Sequence, residues 1–220
     1  MIIRAAILSI PQYDDQAISA VRDLLQATSS ELHVVRTESA GNQRYWLEEV
    51  LRRWCDEEEL DLILTIGGTM PAAGSAAAEI TPEATGAVIE RQLPGFSEAM
   101  RQFASQETLL AYLDRGIAGI RGRTLIVNLP AGAAPAHLFL EAVAELLEPT
   151  VQHVANRSAP NLAELLRFDE SATDLAIEQP LDTSPQHPPG GAPPAHSAKK
   201  ALNPAEFAEF LRRNSHSPSK

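Results

Sequence analysis

Apolar and polar positions along the first 155 residues follow two rhythms. Residues 2–10, 60–66 and 124–129 are nearly unbroken apolar runs, as in strands buried on both faces, and a shorter run falls at 32–35. Between them the apolar positions recur at helical spacing. Residues 14–27 place Ile18, Val21, Leu24 and Leu25 on one side; residues 44–58 carry Trp46, Leu47, Val50, Leu51 and Trp54. Residues 81–91 and 95–103 read as further helices, and 135–147 as a closing one. Strands alternating with helices through long crossovers predict a three-layer αβα domain with a mostly parallel sheet. Ligands of such sheets sit beyond the carboxyl ends of the strands.

The rhythm stops near residue 155. Six prolines lie between Pro180 and Pro194, with Gly190 and Gly191 among them, a composition that cannot bury enough apolar surface to offset its ordering entropy. The expected organisation is therefore a folded domain over 1–155, a Pro-rich flexible linker over 156–202 and a short helix over 203–214. That last segment begins with Asn203 and Pro204 as start signals and places Phe207, Phe210 and Leu211 on one face.

Charge narrows the partners. The chain has 18 Lys and Arg against 29 Asp and Glu, a net charge of −11, which does not suit broad neutralisation of a nucleic-acid backbone. An acidic protein can still hold a phosphorylated small molecule on backbone amides and helix N-termini. A single cysteine, Cys55, excludes a disulfide framework, a Cys-rich zinc site and an Fe–S cluster. No membrane-length apolar run and no secretory leader pattern are found, so a soluble, cytoplasmic protein is expected.

Two segments can carry chemistry. Gly67-Gly68-Thr69 follows a strand, where glycines let backbone amides approach a ligand; Thr81, Pro82 and Glu83 then open a helix, with Thr81 read as its N-cap. The simpler reading is a tight turn and an ordinary cap. No Gly-Lys-Ser/Thr follows, so this is not a Walker phosphate loop. The second segment is Asn128-Leu129-Pro130-Ala131-Gly132 at the end of the last buried run, which can bring Asn128 and the following amides to the same mouth or can simply turn. The remaining polar residues are less informative. The six histidines lack metal-ligand spacing, Cys55 has no basic neighbour to activate it, and Trp46 and Trp54 suit core packing. Arg121 and Arg123 could touch a phosphate, as could any exposed arginine.

The order of these segments resembles the molybdopterin adenylyltransferase family, the MoaB/Mog-like proteins with the G domain of gephyrin. The resemblance spans about residues 3–154. It is carried by Leu62-Ile63-Leu64-Thr65-Ile66-Gly67-Gly68-Thr69, Ile80-Thr81-Pro82-Glu83-Ala84-Thr85, Leu93-Pro94-Gly95-Phe96-Ser97-Glu98-Ala99-Met100-Arg101, Ala118-Gly119-Ile120-Arg121-Gly122-Arg123 and Leu125-Ile126-Val127-Asn128-Leu129-Pro130. It implies adenylylation of molybdopterin with ATP and Mg²⁺, releasing pyrophosphate. Gly67, Gly68, Thr69, Thr81, Pro82, Glu83, Asn128, Leu129, Pro130 and Gly132 would hold substrate, and Glu79 would be the catalytic, metal-holding carboxylate. A homo-oligomer, specifically a trimer, and a molybdate-inserting partner are implied in the same way.

The chain departs from the family pattern around this site. Met70 replaces the last glycine of Gly-Gly-Thr-Gly, and an Ala-rich insert at 71–78 precedes Glu79, where the family has aspartate. Asn42 falls where an upstream aspartate is usual, Pro130-Ala131-Gly132 displaces a glycine by one, and Ser9-Ile10-Pro11-Gln12 replaces a Ser-Asp continuation. A molybdopterin-binding or regulatory module with impaired chemistry is the alternative that these departures leave open.

Overall fold

A computed structural model describes residues 2–71 and 80–155. The linker expected over 156–202, the helix expected over 203–214 and Glu79 all lie outside the described residues. The elements run β1 (Ile3–Ser9), α1 (Asp15–Thr28), β2 (Leu32–Ser39), α2 (Arg44–Asp56), β3 (Leu62–Ile66), α3 (Thr81–Val88), β4 (Arg91–Gln92), α4 (Pro94–Ala104), a 3-10 turn (Leu109–Leu113), β5 (Ala118–Arg121), β6 (Thr124–Leu129), α5 (Ala133–Glu141) and α6 (Ala144–Val154).

Among the described residues, six strands form one sheet in the order β2-β1-β3-β6-β5-β4. The first four are parallel; β5 and β4 add an antiparallel edge. The unbroken apolar runs are explained by period two across this sheet. Ile3, Ala5 and Ile7 of β1, with Leu62, Leu64, Leu125 and Val127, face α1, α4, α5 and α6. Ala6, Leu8, Ile63 and Ile126 face the other way, against Leu47, Leu51 and Trp54 of α2 and Ala84 and Val88 of α3. β1, β3 and β6 therefore serve two cores, and the polar side chains of Ser9, Thr65 and Asn128 on them are buried.

Several expectations change at their edges. β2 extends to Ser39 because Arg36, Thr37, Glu38 and Ser39 continue the parallel pairing with β1 after an irregularity between Ala5 and Ala6. The helix expected over 81–91 stops at Val88, since Arg91 and Gln92 pair with β5. The closing helix is two helices, α5 and α6, with Val143 between them at φ −127°. The short strand β5 contains Gly119, where a Cβ would sit 2.8 Å from the Arg91 carbonyl oxygen and 2.6 Å from Ile89. Trp54 is fully buried beneath the guanidinium of Arg36, 5.5 Å from the ring centre, whereas Trp46 at the start of α2 is 49% exposed, so only one of the two indoles is core.

Among the described residues no helix is long and apolar enough to cross a membrane.

Candidate functional site

Strand order reverses between β1 and β3, since β2 lies on one side of β1 and β3 on the other. In open α/β sheets ligands bind beyond the carboxyl ends of the strands at such a switch point. The Ile10 amide donates to the Ile66 carbonyl at 2.8 Å, holding the two strand ends together. Gly67 then turns away at φ +102°, and a Cβ there would lie 2.0 Å from the Ile10 carbonyl oxygen. Gly68 follows at φ +69°. Glycine is required at 67 by both conformation and contact.

The two segments read from the sequence meet at this loop. The Gly67 amide donates to the Leu129 carbonyl at 2.8 Å, and the Thr81 hydroxyl donates to the Gly67 carbonyl at 2.8 Å. Thr81 is thus the first residue of α3 and not its cap; Ile80 holds the cap position without a side-chain bond. The reason is geometric: the Thr81 hydroxyl is taken up by the glycine loop. Pro82, in the first turn, still suits a helix start. The amino ends of α3 and α5 both open at the carboxyl edge of the sheet, and Gly132, at φ +92° and ψ 150°, makes the turn into α5.

Asn128 ties the frame from below. It is fully buried on the α3 side of the sheet. Its side-chain nitrogen donates to the Thr65 and Thr85 hydroxyls, each at 2.9 Å, and its side-chain oxygen accepts the Ile117 amide at 3.2 Å. Both donors and the acceptor are engaged within the protein, so Asn128 shapes the site from beneath.

A third segment completes the site. The Thr69 hydroxyl donates to Asp114 Oδ2 at 2.5 Å, the Gly116 amide donates to Asp114 Oδ1 at 2.8 Å, and the Arg115 amide donates to the Thr69 carbonyl at 3.0 Å. Burial pushes the Asp114 carboxyl above its ordinary value, against the opposing pull of these donors and of Arg101. Arg101 donates to the carbonyls of Asp114 (3.3 Å) and Gly116 (3.2 Å). The Arg115 guanidinium pairs with Glu83 Oε1 in the first turn of α3. A lone carboxylate there would oppose a bound anion, and the arginine offsets it.

The model of the family described as "Probable molybdopterin binding domain" matches residues 8–153, a span that includes all three of these loop segments. The chain belongs to that family. As a member of it, the chain is 33% identical over 165 residues to a molybdopterin adenylyltransferase of Escherichia coli K12, covering 74% of this chain and 83% of the relative. It is 37% identical over 131 residues to one of Helicobacter pylori J99, covering 60% of this chain and 72% of that protein. Among solved structures, the molybdopterin biosynthesis enzyme MoaB of Thermus thermophilus matches with a TM-score of 0.64 at 36% identity, over 71% of this chain and 98% of that one. The Mog protein of Mycobacterium ulcerans matches with a TM-score of 0.59 at 26% identity, over 70% and 99% respectively.

Within this molybdopterin-binding domain, Gly67, Gly68, Thr69, Thr81, Pro82, Glu83, Leu129, Pro130 and Gly132 come from segments joined by the bonds above. Met70, in place of a family glycine, is 37% exposed just past the loop. Arg121 and Arg123 are at the opposite end of β6: Arg121 pairs with Asp56 at 2.6 Å and Arg123 with Glu59 at 3.1 Å. Cys55 is buried, and burial pushes its thiol up to about 12, in keeping with an inert side chain. Sequence reasoning misses Asp114, Arg115 and Arg101. Asp114-Arg115-Gly116 follows an apolar stretch and looks like any Asp-x-Gly turn, the one local signal it offers.

Proposed function

We propose that this protein adenylylates molybdopterin in a step of molybdenum-cofactor biosynthesis. The observation that carries the reading is the direct joining of two sequence-distant loops, Gly67 to Leu129 and Thr81 to Gly67, at the carboxyl mouth of the sheet. Relatives named molybdopterin adenylyltransferase support it. In the reaction a phosphate oxygen of molybdopterin attacks the α-phosphorus of ATP. The bond to the bridging oxygen breaks, and pyrophosphate leaves with the electron pair. Such transfers depend on alignment and charge neutralisation more than on covalent chemistry. The amides of Gly68 and Thr69, on a loop anchored by Gly67, and the amino ends of α3 and α5 supply both.

Mg²⁺ is held through one or two carboxylates together with substrate phosphates, so a dedicated three-carboxylate cage is unnecessary; none occurs among the described residues. Among the described residues Glu83 Oε2 is a buried oxygen without a hydrogen-bond partner, an acceptor that suits a cation. Glu79, outside the described residues, with Glu83 would hold the ion, which supplies neutralisation of phosphate charge. We further place the protein in the cytoplasm, as a homo-oligomer, a trimer by family resemblance, able to hand its product to a molybdate-inserting protein. Exposed Leu109, Leu110, Tyr112 and Leu113 offer an apolar face for self-association.

The test is pyrophosphate release from ATP and Mg²⁺ by the purified full chain, with and without molybdopterin. Release that requires molybdopterin and is abolished by Glu79→Ala is expected. Molybdopterin binding without release would instead make the domain a binding or regulatory module.

A further inference from the structure

We infer that Asp114 is a positioning residue for the reaction, one that fixes the Gly67-Gly68-Thr69 loop through Thr69 and sets Arg115 beside Glu83. The inference rests on the reading of this mouth as a nucleotidyl-transfer site.

Asp114 is only 4% exposed, and Thr69 is fully buried. Each carboxyl oxygen of Asp114 accepts a different donor, the Thr69 hydroxyl at Oδ2 and the Gly116 amide at Oδ1. The Thr69 carbonyl in turn accepts the Arg115 amide. The loop and the 114–116 segment are therefore clamped twice, once through a side chain and once through the backbone. The clamp extends downward, because the Asn128 amide donates to the Ile117 carbonyl at 3.0 Å while Asn128 Oδ1 accepts from Ile117. It extends sideways through Arg101, which bonds two carbonyls of the same segment.

Two details distinguish this arrangement from a surface turn. The 114–116 segment is packed closely on the strand end, since a Cβ at Gly116 would meet Asp114 Oδ1 at 2.7 Å and the Asn128 carbonyl oxygen at 3.1 Å and would displace the carboxyl from its partners. The Thr69 hydroxyl also has a single proton, and Asp114 takes it. Thr69 therefore has no hydroxyl donor left for a phosphate, and the loop presents its backbone instead. Backbone donors are useful only when held in place, since misplacement of about 1 Å can cost two orders of magnitude in rate. Asp114 supplies that hold, and by fixing the chain on both sides of Arg115 it aims the guanidinium at Glu83.

The test compares the wild-type chain with Asp114→Ala, Asp114→Asn and Thr69→Val. In the absence of substrate, amide exchange of residues 67–70 is expected to be about ten-fold faster in Asp114→Ala and in Thr69→Val, with the amides of Leu64 and Val127 unchanged. Thr69→Val reaches the same contact from the other side should Asp114→Ala fail to fold. In molybdopterin-dependent pyrophosphate release, kcat is expected to fall about a hundred-fold in Asp114→Ala with little change in the KM for ATP. Asp114→Asn, which keeps one acceptor oxygen, should recover part of that loss. Combining Asp114→Ala with Thr69→Val should cost no more than the worse single change. Unchanged exchange in both variants overturns the inference, as does faster exchange with kcat unmoved. A wild type that releases no pyrophosphate although exchange responds overturns the nucleotidyl-transfer reading and leaves the clamp standing.

Discussion

The loop after β3 and the loop after β6 meet at one mouth, yet they are built by opposite means. After β3, the backbone is forced into an unusual path by close approach: Gly67 passes the Ile10 carbonyl with room for a hydrogen only. After β6, the strand end is fixed by a side chain, Asn128, which commits both its donors and its acceptor oxygen to Thr65, Thr85 and Ile117. One loop is shaped by what its residues lack and the other by what a residue adds. Residues that a sequence reader assigns to ligand contact can thus be framework, with the ligand left to the main chain.

Substitutions should separate the two designs. Gly67→Ala should be the most damaging, because the clash is with backbone and cannot be relieved by a rotamer change; a loss of about 4 kcal/mol or more is expected in denaturant unfolding. Retention of wild-type stability would show that the approach of Gly67 to Ile10 is not required. Asn128→Leu should follow, at about 3 kcal/mol, since it strands two threonine hydroxyls and an amide in a buried layer. Its partial rescue by Thr65→Val with Thr85→Val would identify the stranded hydroxyls as the cause. Gly132→Ala should cost about 1–3 kcal/mol, from backbone conformation alone, because the nearest atom to a Cβ there is Pro135 Cδ at an ordinary 3.6 Å.

A smaller effect depends on pH. Burial raises the Asp114 carboxyl, so the native state keeps this proton to higher pH than the unfolded chain does. The stabilisation that goes with the proton is complete below the unfolded value and is lost as pH rises through the raised native one. Asp114→Asn cannot titrate, and its Tm measured against wild type should improve as pH is raised from about 4 to 7. A constant difference would count against a buried ionising group. Smallest of all, Cys55 should remain unmodified by iodoacetamide at about pH 8 in the folded protein, as read by intact mass.

Much of this framework is legible in the sequence because buried strands announce themselves. β1, β3 and β6 are apolar on both faces, so their runs cannot be mistaken for half-exposed strands. β5 escapes notice because four residues including Gly119 carry no period, and its pairing with β4 is set by contact across the sheet. The break between α5 and α6 is equally silent, since apolar residues continue through Ala142 and Val143. At the site, Gly67, Gly68 and Thr81 can be located because glycine pairs and Thr-Pro starts are local signals. Asp114 cannot, because its partner Thr69 is 45 positions away and only folding brings the two together.

The two ends of α2 have a spectroscopic consequence. Trp54 lies sealed in the core under Arg36, while Trp46 stands at the helix start, half open to water. Acrylamide should quench Trp46 and spare Trp54, dividing the intrinsic emission into a shielded and an accessible component. With Trp46→Phe, the remaining emission would follow melting of the core alone. With Trp54→Phe, it would follow events at the start of α2, giving an optical channel there without an attached dye.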